Sequence, residues 1–145
     1  MTNSKDWVHV GARDLVRSFR AHAEAADLLT GVQAHLLLFY AVECGMKGVA
    51  VRRANGQSTR DLPAEAADAG HDLRKLAKHL KLPPGLSADS AYPTCERQAT
   101  GQPRVGLKQW HEAWRYGAIL KPEDENIAVT TLSGLRQWCD EGTKR

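Results

Sequence analysis

The sequence predicts an all-α domain, a four- to five-helix up-down bundle over residues 1–145, and three observations predict it. Apolar residues recur at the three-and-four spacing of amphipathic helices. Alternation of the strand type never persists beyond a few residues. Turn signals fall between the periodic segments: Thr30-Gly31, Asn55-Gly56, Pro83-Pro84-Gly85 and Pro103. A chain of 145 residues fits one domain. It is long enough to bury a core without disulfide staples.

Val8, Ala12, Leu15, Phe19, Ala23, Ala26 and Leu29 mark the first helix. Asp6 or Ser4 offers a cap at its start, and Thr30-Gly31 ends it. A second helix is expected from about Val32 to Arg53. Its centre, Leu36 to Val42, is apolar all round, as in a helix surrounded by others. Gly45 costs helix propensity there, which points to a close neighbour. Residues 56–70 read as a loop interrupted by Pro63, followed by a short basic helix over His71 to Lys81. Leu86 to Pro103 reads as a loop with one helical turn at most. A fourth helix is expected from just after Pro103 to about Leu120. Pro122, followed by Glu123, Asp124 and Glu125, starts a last helix that runs to Gly142. The first two helices, joined by a couple of residues, should be antiparallel neighbours.

Composition narrows the function classes. Hydrophobic residues at 42% and charged residues at 26% are globular values. A net charge of +3 permits contact with nucleic acid without arguing for it. Cys44, Cys95 and Cys139 are an odd set without a CxxC pair, which excludes a disulfide framework and zinc-ligand spacing. They are expected to be free thiols serving as small apolar residues in a cytoplasmic protein. The first ten residues carry no apolar run of signal type. The uninterrupted apolar run Leu36 to Val42 is too short to span a bilayer. No metal, cofactor or membrane is expected.

Polar residues on the apolar helices are the candidates for function. Glu43 and Lys47 stand one turn apart in the favoured order for an ion pair. The pair either solvates a face, or Glu43 turns inward and finds a guanidinium, with Arg115 as the candidate. His71 and Asp72 head a helix, where packing or capping is favoured over catalysis. Arg74, Lys75, Lys78, His79 and Lys81 make that helix basic, as a solvated face or a phosphate-contacting strip. Trp110 and Trp114 should form one stripe, for core or dimer packing ahead of base stacking.

Three blocks carry a family resemblance. Phe39 to Gly48 has an aromatic, a Glu and a Lys among small residues. Gly70-His71-Asp72-Leu73, with Leu76-Ala77 after it, comes second, and Trp110-His111-Glu112-Ala113-Trp114-Arg115-Tyr116 third. In this order the blocks resemble the HEPN family, the higher eukaryotes and prokaryotes nucleotide-binding helical bundles, over residues 31–120. The resemblance implies an RNA- or nucleotide-associated interaction module. It also implies a homodimer, and a partner such as a minimal nucleotidyltransferase in a defence or toxin-antitoxin setting. Arg115, Tyr116, Glu43, Lys47 and His71 would be its binding residues. Ribonuclease members carry an Arg, four to six residues and a His; Arg104 and His111 fit that spacing. They would cleave RNA without metal, the His moving a proton and the Arg neutralising phosphorane charge. Seven residues apart, the two would share a helical face. Yet the block that carries the resemblance places its Arg at Arg115, and no His follows within seven residues. The favoured expectation is therefore a non-catalytic domain, with the ribonuclease as the alternative.

Overall fold

The structure, a computed structural model, describes residues 8–67 and 71–144. The cap residues expected at Ser4 or Asp6 lie outside them. The chain is all-α, with no strand among the described residues and only isolated β-bridges. Helix α1 spans Ala12–Asp27 and α2 Gly31–Arg53. Short elements follow: α3 (Ala64–Ala67), α4 (Leu73–His79) and α5 (Pro84–Ser87), then α6 (Trp110–Tyr116). The long α7 covers Pro122–Gly142.

Helix α2 is the hub because it is apolar on every side. Phe19 of α1 packs near Gly45, while Leu15 and Val16 pack near Gly48, so the first two helices run antiparallel as expected. On another side α7 runs parallel to α2, from His35 beside Glu125 to Gly142 beside Val49. Arg136 of α7 forks both guanidinium nitrogens onto the Asp27 carboxylate at the end of α1, at 2.6 and 2.8 Å. By length and composition α2 would also pass for a membrane-crossing segment. Here its buried side chains, among them Phe39, Val42, Met46 and Val51, belong to the bundle core.

Gly45 is where the helices meet most closely. A Cβ on it would stand 2.8 Å from Cys139 Sγ and 3.0 Å from Phe19 Cδ1. Gly45→Ala is therefore expected to destabilise by about 1–3 kcal/mol through overpacking. It does so although alanine is the better helix former by about 1 kcal/mol. A urea midpoint for Gly45→Ala at or above the wild-type value would contradict this contact.

Two expectations are corrected. The fourth helix does not run from Pro103 to Leu120: a 3₁₀ turn at Leu107–Gln109 leads into α6, which ends at Tyr116. Gly117, with φ of 78°, takes the left-handed conformation that closes the helix. The segment before it is also more ordered than a plain loop. Cys95 and Val105 exchange backbone hydrogen bonds, both 2.8 Å. Gln98 and Lys121 donate backbone bonds to Ile119 and Glu96. Residues 95–105 are thus clasped against both flanks of α6.

Candidate functional site

Among the described residues, the buried Glu43 and His111 come together with His71 at one edge of α2. Glu43 stands on a helix packed on most of its circumference, and the residue is only 8% exposed. It turns inward, one of the two orientations expected, but its partner is not Arg115. Its Oε2 accepts from Lys47 Nζ at 3.2 Å and lies 3.0 Å from Nδ1 of His71. Burial pushes the Glu43 carboxyl up, but the His71 hydrogen bond and the Lys47 charge together outweigh it and hold it below the usual glutamate value.

His71 reaches this carboxylate from the residue before the cap of α4. Asp72 is that cap: its carboxylate accepts the Lys75 backbone N–H at 3.2 Å. The expected capping role thus falls to Asp72, which frees His71 to point at α2. With Nδ1 committed to Glu43, Nε2 is the free nitrogen of a side chain that is 46% exposed. The ring also lies against His111, centroids 4.1 Å apart.

His111 comes from α6, with the buried Trp110, Ala113 and Trp114 around it on the same short helix. It is 4% exposed and stacks on Phe39 at 5.5 Å. Its Nδ1 has no hydrogen-bond partner among the described residues. Burial first, then the neighbouring His71 and Arg115, hold its pKa below the ordinary histidine value. It is a neutral imidazole at neutral pH.

Arg115 and Tyr116 stand exposed on the outer side of α6. Arg115 donates to the Tyr40 hydroxyl and lies over that ring at 5.9 Å. It also lies over the Tyr116 ring at 5.8 Å. Tyr40 in turn faces His111 at 6.5 Å and His22 of α1 at 6.2 Å. Five of the residues singled out in the sequence thus form one continuous set: Glu43, Lys47, His71, His111 and Arg115. Tyr40 and His22 were missed as site residues. The signal for Tyr40 was its place one turn before the buried Glu43, on the same side of α2.

Arg104 stands apart from that set. It precedes the 3₁₀ turn, so no continuous helix carries it to His111 and the shared face expected from their spacing does not form. Its guanidinium is held by Glu96 Oε1 at 2.7 Å on the surface. Glu96 also binds Lys121 at 2.8 Å.

The remaining candidates are structural. Trp110 and Trp114 are buried, 6.0 Å apart, and Trp114 Nε1 donates to Glu125 at 3.0 Å. Arg74 and Lys78 of the basic helix pair with Asp89 rather than forming an open strip. The cysteines are free; burial raises the Cys95 thiol to about 12, so it stays protonated. Among the described residues no group of three or more His, Cys, Asp or Glu is arranged to hold a metal ion.

No family model, curated protein or solved structure matches this chain.

Proposed function

We propose that the chain is a HEPN-like helical domain acting as a nucleotide- or RNA-associated interaction module, with the phosphate recognised by Lys47, His71 and Arg115. One observation carries this reading. The three sequence blocks that resemble the family, far apart along the chain, meet at Glu43, His71 and His111. The buried carboxylate fixes the donors around it, and a fixed donor set suits an anion better than a mobile surface lysine does. A homodimer and a nucleotidyltransferase-type partner belong to the same reading; light scattering that gives a clean monomer at high concentration would remove the first of them.

The Glu43–His71 dyad favours a second reading, metal-independent RNA cleavage, with His71 in the place first considered for His111. A carboxylate holding Nδ1 fixes tautomer and ring, leaving Nε2 to take the proton of a 2′-hydroxyl. That oxygen would attack the adjacent phosphorus, the bond to the 5′-oxygen would break, and water would return a proton to the leaving oxygen. Arg115 would neutralise the phosphorane. His111, buried and neutral, would position His71.

A labelled single-stranded RNA incubated with the protein in EDTA decides between them. The module reading expects binding without cleavage, weakened roughly tenfold by Arg115→Ala or His71→Ala, as for a lost charge-assisted contact. Cyclic-phosphate ends that vanish in His71→Ala but persist in Arg104→Ala would establish the second reading. Failure to bind RNA or nucleotide at low salt would sink both.

A further inference from the structure

A groove of about 360 Å³ lies between the 95–105 segment and α6, outside the Glu43–His71 cluster. Arg97, Arg104, Gln109, Glu112 and Tyr116 are among its lining residues. We propose that this groove is the subsite for one nucleotide of a single-stranded polynucleotide, with its base laid on Tyr116 and its phosphate held by Arg97 and Arg104. The inference rests on the nucleotide- or RNA-associated reading and says where the strand goes once it leaves the cluster.

Three features point there. Tyr116 is 76% exposed, an unusual state for a ring beside a groove that its own helix helps to form. A half-free aromatic face bordered by cations is the platform that single strands use, because every base has a π-face and every linkage a charge. Second, the groove wall is held in place: the backbone exchange between Cys95 and Val105 and the Gln98–Ile119 bond fix both arginine-bearing stretches. Arg97 donates to Gln102 at 3.1 Å, while its Nε is buried without a partner among the described residues. Third, the groove is continuous with the cluster. His71 touches His111, His111 faces Tyr40, and Arg115 lies over both Tyr40 and Tyr116. A run of rings, with the Arg115 guanidinium between Tyr40 and Tyr116, therefore leads from His71 to the groove.

Charge sets the polarity of the subsite. Glu112, in the lining on the α6 side, repels a phosphate placed beside it. The phosphate is directed to the opposite wall, where Arg97 and Arg104 stand. Arg104 is partly offset by Glu96, but Glu96 is shared with Lys121, so the wall remains cationic. A duplex keeps its bases stacked inward and offers Tyr116 no face, so the site is specific for single strands.

The test is fluorescence anisotropy with a labelled ten-residue oligouridylate at low salt, using the full chain. Tyr116→Ala and Arg97→Gln should each weaken binding about tenfold, and Tyr116→Phe should stay within about twofold of wild type, because stacking needs the ring and not the hydroxyl. Tyr116 is exposed and Arg97 half-buried, and circular dichroism checks that each variant is folded. If Tyr116→Ala and Arg97→Gln bind as wild type while Arg115→Ala is weakened, the groove assignment falls and the cluster reading stands. Equal affinity for the corresponding duplex also overturns the assignment. No binding by the wild type removes both.

Discussion

Trp114→Ala is expected to lose about 3–5 kcal/mol of folding stability, the usual range for truncating a fully buried indole. In a chain of this size that lowers the melting midpoint by roughly 6–20 °C. The size of the effect follows from what the ring touches. Trp114 is 2% exposed and sits 5.5 Å from the His35 ring, 6.5 Å from Phe39 and 6.0 Å from Trp110. Its Nε1 donates to Glu125 in the first turn of α7. Truncation leaves a cavity between α2 and α6 and also leaves Glu125 without its donor. Trp114→Phe separates the two losses: it restores most of the volume, so only about 1–2 kcal/mol should remain, chiefly the hydrogen bond. Denaturant unfolding of both variants measures this. A Trp114→Ala midpoint equal to the wild-type value would show that the indole is not part of the core.

The second large effect is a two-stage loss of stability on acidification. His111 is held below its ordinary value of 6.5 in the folded protein, by burial and then by His71 and Arg115. The unfolded chain therefore takes up that proton first. Stability is full above about pH 6.5 and falls as the pH drops from there towards the lower folded value. Glu43 acts in the next window. Its folded pKa lies below 4.5, so its contribution is full above that pH and is lost as the pH falls through the folded value. Asp27, Asp61 and Glu96 are also held low by their hydrogen-bond partners, so the acid arm is shared. Substitution isolates each part. His111→Phe should gain on the wild type as the pH falls from 7 to 5, since phenylalanine keeps the stack on Phe39 and has no proton to take up. Glu43→Gln should close on the wild type only below pH 4.5. Urea titrations at stepped pH provide the measurement, and parallel curves for wild type and His111→Phe between pH 7 and 5 would refute the first stage.

The long elements were legible because period and punctuation agreed. The spacing from Leu15 to Ala26 and the all-round apolarity of Leu36 to Val42 placed α1 and α2 to within a few residues of where they stand. Pro122 and the acids behind it marked the start of α7. The Gly45 expectation held for a reason that sequence can carry: a glycine inside a strong helix costs stability unless something approaches it. Residues 95–120 were harder, because their order comes from backbone bonds between loops, which leave no periodic trace. There Gly117 stops α6 after two turns, where the pattern suggested continuation to Leu120.

The site was half legible. Glu43, Lys47, His71, His111 and Arg115 all stand out in the sequence, and so does the Glu43–Lys47 pair, but not the pairing of Glu43 with His71. The sequence offers Arg115 as the inward partner of Glu43 because a planar guanidinium suits a buried carboxylate, while the chain brings His71 to it from the residue before Asp72, the cap of α4. The resemblance joins His111 to Arg104 by the spacing of an Arg and a His, and the helix that would put them on one face does not exist at that point. The tryptophan neighbours of His111, one position before and three after, were the better guide, since they place its side chain on the buried face of α6.

The central position of α2 has a consequence for synthesis. Cys139, which fills the space above Gly45, belongs to α7, which is made well after α2. A nascent chain that has already formed the α1–α2 hairpin still shows the side of α2 that α7 will cover. That apolar strip stays in water until more than sixty further residues have been added, as the intervals from Arg53 to Pro122 require. Translation pauses within residues 54–121 therefore prolong the exposure of the most apolar helix, the condition under which holdase chaperones matter most.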